Sequence, residues 1–167
     1  NPHGEKSAII QVLTKTKGIH AGIIQNAFSR KMSSTIQPSN QLYLNWSSRL
    51  EEHLGTYKVD LLKTRVDILL RNKLALDIFN SLSSLCISTL AERDPMPEFY
   101  EITIKFLDRI VSQKKWEFLY LDWELQLLTS IGYGLDLDKC VASGTTEDLF
   151  YISPKSGKAV SKEKGFK

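Results

Sequence analysis

Ser7-Ala-Ile-Ile-Gln-Val-Leu-Thr14, Lys15-Thr-Lys-Gly18 and Ile19-His-Ala-Gly-Ile-Ile-Gln25 form the stretch from which the rest of the chain can be read. Its first and last parts are rich in β-branched and apolar residues, the composition of strands. The middle is a turn, with Gly18 placed for a positive φ, so the whole predicts a β-hairpin. Downstream, Gln41-Leu-Tyr-Leu-Asn-Trp-Ser47 alternates, with Leu42, Leu44 and Trp46 on one face. Gly55-Thr-Tyr-Lys-Val-Asp-Leu-Leu62 can pair with it across the charged connector Arg49 to Leu54. Asn26 to Asn40, polar, Ser-rich and containing Pro38, reads as a loop. Four strands with no helix between them would leave open edges. A strand upstream of Asn1 would close them into a small barrel. That is the layout of an OB-fold, a five-stranded partly open barrel that often binds oligonucleotides.

Beyond residue 67 the period changes. From about Arg71 to Arg93 the residues Leu74, Ile78, Leu82, Leu85 and Thr89 recur at helical spacings. Asp94-Pro-Met-Pro97 breaks that helix and starts another, with Pro97 suited to a first turn. Phe99, Ile102, Phe106, Ile110 and Val111 form the second helix's expected buried stripe. Trp116 to Ile131 is a third, apolar on most of its circumference, which predicts a central place in a bundle. Leu119, Trp123, Leu127 and Ile131 mark one face of it, and Gly132 a C-terminal stop. A short strand is expected at Leu149–Ile152, followed by a turn over Ser153-Pro-Lys-Ser-Gly157.

The 167 residues suit one domain or two small ones. Hydrophobic content of 42% and charged content of 25% are ordinary for a globular chain. No apolar run reaches the roughly 18 residues of a membrane span, and Asn1-Pro-His-Gly-Glu-Lys6 lacks a signal peptide's layout. Because the sequence does not open on Met, we expect it to begin inside a longer chain. Two cysteines in unlike settings, Cys86 and Cys140, make a disulfide framework unexpected and favour a cytoplasmic protein. Cys86 falls in a helical apolar pattern and reads as core.

The net charge of +3 is uneven: +4 over residues 1–67, −2 over 68–131 and +1 over 132–167. The basic excess sits where the barrel is expected, which points to a polyanionic partner. The candidate DNA-binding residues are Lys6, Lys15, Lys17, Arg30, Lys31 and Arg49, with Lys58 and Lys63 behind them. Lys15 and Lys17 belong to a hairpin tip and Arg30-Lys31 to an open loop, within reach of phosphates. Phe28 and Tyr43 can stack on bases, while Trp46 shares a face with Leu42 and Leu44 and reads as core. Solvated surface lysines are the competing reading for each cation taken singly. Catalysis finds no support. Glu51-Glu52-His53 is the one compact acid–histidine cluster, in a charged connector that reads as a solvated turn. There is no Walker-type loop and no nucleophile elbow. Asp136 and Asp138 look like metal ligands in isolation, but they flank a turn and could equally cap the next backbone amides.

Several runs, taken in order, resemble the RecO family of DNA-repair and recombination-mediator proteins. They are Gly4-Glu5-Lys6-Ser7-Ala8-Ile9-Ile10, Leu13-Thr14 with Gly18, Arg30-Lys31 before Gln37-Pro38, and Leu54-Gly55-Thr56. Trp123-Glu-Leu-Gln-Leu-Leu, Gly132-Tyr-Gly-Leu and Ser153-Pro-Lys-Ser-Gly-Lys-Ala-Val are the most specific. The resemblance implies an α+β chain: an OB-fold over residues 1–67, its first strand expected to be missing, then an α-helical domain over 68–167. A degenerate zinc-finger-like excursion would occupy 132–167. Zinc-bearing relatives place two Cys-x-x-Cys pairs around this tail, where the present chain has Cys140-Val-Ala-Ser143 and Ser161-Lys-Glu-Lys164. One thiol and two hydroxyls cannot supply a structural zinc's four N or S ligands. Turn packing is therefore expected in the metal's place, with Cys140 half-buried, and neither metal nor other cofactor is expected. The resemblance further implies binding of single- and double-stranded DNA, annealing of complementary strands, the partner RecR, contact with the tail of the single-stranded-DNA-binding protein, and help in loading the RecA recombinase. A general single-strand binder and a protein-only adaptor are the rival readings.

Overall fold

The computed structural model describes residues 2–50, 52–110 and 116–165. Contacts divide the chain into two compact units, Asn1–Trp116 and Glu117–Lys167. The first holds a five-stranded sheet and most of the helices. Its strands are β1 (Pro2–His3), β2 (Ser7–Thr14), β3 (Gly18–Ile24), β4 (Gln41–Ser47) and β5 (Thr56–Lys63). They lie in the order β1-β2-β3-β5-β4. Neighbours are antiparallel except β3 and β5, which meet in parallel at Ile23 and Thr56. The arrangement is consistent with an OB-like domain. Where four strands were expected there are five, because Pro2 and His3 pair with Ala8 and Ser7.

The hairpin forms as its residues dictate. Thr14 pairs with Gly18, whose φ is +56°, and a Cβ there would lie 1.9 Å from the Asp94 carbonyl oxygen. Both the turn and that approach need glycine. The sheet's inner face follows the strand period of two. Ala8, Ile24, Ala27 and Tyr57 are buried, with Ile10, Val12, Leu44, Trp46 and Val59 packed against them.

The expected loop from Asn26 to Asn40 instead contains a helix, α1 (Arg30–Thr35). Ser29 caps it, its hydroxyl accepting from the Met32 amide at 3.3 Å. Met32 and Ile36, four residues apart, press onto the sheet's core. Polar Ser and Thr elsewhere in the helix mask that pair in the sequence.

The first long helix also differs from expectation. It forms as α3 (Lys73–Thr89), within the expected Arg71 to Arg93, but a short helix that was not expected, α2 (Val66–Arg71), precedes it. Between them Asn72 is extended and caps α3, its side-chain oxygen accepting from the Ala75 amide at 3.2 Å. The buried stripe of α3 is Ala75, Ile78, Leu82 and Cys86, while Leu74 is 47% exposed. In α4 (Pro97–Ile110) the stripe is Phe99, Thr103, Phe106 and Ile110; Ile102 is only half-buried and Val111 lies outside the described residues. Burial holds the Cys86 thiol up at about 12, the behaviour of an inert core residue.

α5 (Trp116–Ser130) buries Trp123 and Leu127 but exposes Phe118 and Leu121, so it is not enclosed all round as its composition suggested. It ends at Gly132, φ +87°, with the Tyr133 amide bonded to the Leu128 carbonyl and the Gly132 amide to Thr129. That is a Schellman closure. The strand at Leu149–Ile152, β6, pairs with β7 (Ala159–Ser161).

Candidate nucleic-acid interface

The β2–β3 ladder sets the geometry of the basic residues. One end is the Thr14–Gly18 turn and the other is the Ala8–Ile24 pair, about 20 Å away at strand rise. Lys15 and Lys17 stand at the turn. Lys6 stands at the far end, where its carbonyl accepts from the Ala27 amide at 2.9 Å, three residues before Arg30. The six candidates are therefore not gathered at one place: Lys6, Arg30 and Lys31 share one end of the ladder, Lys15 and Lys17 the other.

At the turn the cations are committed. Lys15 Nζ lies 2.8 Å from Glu101 Oε1 on α4, and this bond raises the lysine's pKa and lowers the glutamate's. Lys17 Nζ sits 5.1 Å from the centroid of the Trp46 ring, a cation–π contact. Trp46 Nε1 donates to the Leu54 carbonyl at 3.0 Å, and the ring meets His20 edge-on at 5.2 Å. His20 is buried, with Nδ1 hydrogen-bonded to the Tyr57 hydroxyl. Burial, then the Arg93 and Lys17 charges, push His20 below the usual histidine range against the pull of Glu92. Burial also lifts the Tyr57 phenol to about 12, against the opposing charge of Arg93.

Arg93 and Glu92 arrive from the segment after α3. The Arg93 amide donates to the Ile19 carbonyl at 2.9 Å, and its guanidinium to the His53 carbonyl at 3.3 Å. Sequence reasoning missed Arg93, since nothing local joins the end of a helix to a strand 70-odd residues earlier.

The far end is different. Lys6, Arg30 and Lys31 are exposed and enter no ion pair among the described residues. Phe28, two residues before Arg30, is 56% exposed. An uncovered aromatic ring beside unpaired cations is the combination that single strands recognise. Arg49, also exposed and in no ion pair among the described residues, lies in the β4–β5 connection with His53; Glu51 of the acid–histidine cluster is outside the described residues. Tyr43 is 59% exposed on the outer face of β4, opposite Asp60. Lys58 is exposed on β5. Lys63 is paired with Asp108 at 2.9 Å.

Asp108 also receives Arg65, a residue missed in the sequence and only 3% exposed. Its Nε and Nη2 donate to Asp108 Oδ1 at 2.8 and 2.6 Å, and Nη2 also reaches Gln41 Oε1 at 3.1 Å. Burial pushes the Asp108 carboxyl up, but the bonds from Lys63 and Arg65 prevail and hold it below the usual range. Arg65 is one of the residues lining a largely apolar cleft of about 770 Å³ among β2, α3, α4 and the chain from Ile36 to Leu42.

In the second unit Cys140 is 1% exposed, buried rather than half-buried. Its Sγ accepts from the Ser161 amide at 3.2 Å and lies 3.5 Å from Ser161 Oγ. Hydrogen bonds from the side chains of Ser143 and Ser161, then the Ser161 amide, bring the thiol down to about 6. Lys164 lies 3.4 Å from Glu163. A thiol, two hydroxyls and an ammonium do not fit a zinc site. Among the described residues no three His, Cys, Asp or Glu side chains are placed to share a metal ion. Asp136 is ion-paired with Lys158 at 3.3 Å, and that bond lowers its pKa.

Family models cover both parts of the chain. The one described as "Recombination protein O N terminal" matches residues 1–65, and "Recombination protein O C terminal" matches 75–167. Relatives named "DNA repair protein RecO" include one from Ruegeria sp. (strain TM1040), 48% identical over 95% of this chain and 66% of its own length. Another, from Dinoroseobacter shibae, is 41% identical over 97% of this chain and 67% of its own. One from Cereibacter sphaeroides (strain ATCC 17025) is 37% identical over 96% and 67%. The chain belongs to the RecO family of DNA repair proteins. It spans about two thirds of the length of these relatives. No helix among the described residues is long and apolar enough to cross a membrane.

Proposed function

We propose that this protein is a recombination mediator that binds DNA strands non-covalently and anneals complementary ones. The first unit would act as an OB-type barrel. The observation that carries the reading is the unpaired group of Lys6, Arg30 and Lys31 beside the exposed ring of Phe28. These residues can neutralise phosphates and stack a base without breaking an existing bond. Such contacts carry no base code, so binding would tolerate any sequence and weaken steeply with salt. Two strands held on one protein meet at high effective concentration, and annealing needs no covalent step.

Family membership supports the partners: RecR, the tail of the single-stranded-DNA-binding protein, and through them the RecA filament. The apolar cleft beside Arg65 offers an amphipathic segment a place to dock. Strand annealing by the full-length protein, with and without chelator, tests the reading. Annealing that is salt-sensitive and chelator-insensitive supports it. Absent or salt-insensitive strand binding favours a protein-only adaptor. Strand binding without capture of RecR favours a general single-strand binder.

A further inference from the structure

The second unit presents a surface that the barrel reading does not use. Along β6, Leu149 and Tyr151 are half-buried, and Ala159 and Ser161 of β7 are buried. Phe150 and Ile152 alternate outward, 67% and 48% exposed. The Phe150 ring is braced edge-on by Tyr151, centroids 5.1 Å apart. Lys162 Nζ lies 5.7 Å from the Phe150 ring centroid. Lys155 is exposed in the turn joining the strands.

Lys158 and Lys164 are held by Asp136 and Glu163, whereas Lys155 and Lys162 enter no ion pair among the described residues. Charge is also segregated along the unit. Residues 149–167 carry five lysines and one glutamate; residues 117–148 carry one lysine and seven acids. A polyanion is drawn to the ribbon and repelled by the rest of the unit.

We propose that the β6–β7 ribbon is a second contact for single-stranded nucleic acid, with a base stacked on Phe150 and phosphates neutralised by Lys162 and Lys155. An exposed ring offers a base its stacking face, and Lys162, whose contact with the ring involves no carboxylate, can exchange that contact for a phosphate, with Lys155 in the adjoining turn. An acidic peptide would need the cations but not the ring face. The inference rests on the strand-binding reading above and extends it, because annealing needs places for two strands.

The test is fluorescence anisotropy of a labelled thymidine homopolymer with the full-length protein at several salt concentrations. The wild type is compared with F150A/K162Q, F150Y and R30E/K31E. The ribbon contact predicts roughly tenfold weaker binding by F150A/K162Q, and a salt slope shallower by about 0.7 for the lost phosphate contact. F150Y, which keeps a stacking face, binds as the wild type does. Circular dichroism checks that the surface variants remain folded.

Weakening by F150A/K162Q alone supports the ribbon while removing Arg30 and Lys31 from the interface. Weakening by R30E/K31E with F150A/K162Q unchanged overturns the ribbon and leaves the barrel reading intact. Loss of an acidic peptide's binding by F150A/K162Q, with the homopolymer unaffected, overturns it in favour of a protein contact. A wild type that binds no homopolymer overturns both.

Discussion

The two ends of the β2–β3 ladder carry similar residues and differ in what the fold has already done with them. At the turn, Lys15 is bound to Glu101 and Lys17 lies over Trp46. At the other end, Lys6, Arg30 and Lys31 have no acidic partner among the described residues, and Phe28 stands uncovered. A phosphate at the turn must compete with a carboxylate already in place. A phosphate at the far end competes only with water. The availability of a cation is thus a property of its tertiary neighbours. Arg65 is the extreme case, buried and wholly given over to Asp108, Gln41 and the chain around Ser39.

That gradient from committed to free cations can be broken at each step. The largest effect is expected at the buried end. R65M removes several charge-assisted bonds and should cost about 3 kcal/mol of unfolding free energy, measured in urea, while leaving the salt slope of strand binding alone. An R65M protein as stable as the wild type would mean that the buried network is idle.

Next comes the free end. R30E/K31E should leave stability nearly unchanged but weaken single-strand binding about tenfold or more, with a salt slope shallower by about 1.4 for two lost phosphate contacts. Unchanged affinity in filter binding would remove these residues from the interface.

Acid should act in two steps. His20 is held below its ordinary 6.5, so as pH falls past that value the unfolded chain takes up a proton first and stability declines. Asp108 is held below its ordinary 3.8, and the stability from its pairing is present above that value and lost as pH falls below it. Chemical denaturation across pH should show both declines, and H20Q should abolish the upper one. The smallest effect belongs to the exposed pair: K15Q should change neither the unfolding midpoint nor strand affinity beyond error. A clear loss of affinity there would show that phosphate displaces Glu101, and the contrast between the two ends would fail.

Local pattern decided much of this. The hairpin and its Gly18 turn, the alternating face of β4, the Pro97 start of α4 and the Gly132 stop of α5 each depend on interactions within a few residues. Cys86 was legible as core for the same reason, since a helical period gives its depth. What escaped had its cause elsewhere in the chain. β1 is strand only because Ser7 and Ala8 pair with it, and β7 only because β6 does. α1 was hidden behind serines that favour turns as readily as helices, until Met32 and Ile36 found the sheet's core.

The candidate site divides in the same way. The sequence by itself determined which residues could meet a phosphate, because charge and chain flexibility are carried by the residue. It could not say which would be free to do so. Glu101 reaches Lys15 across 86 positions and Asp108 reaches Arg65 across 43. Coulomb attraction at a few ångströms depends on distance in space, which only the folded chain establishes.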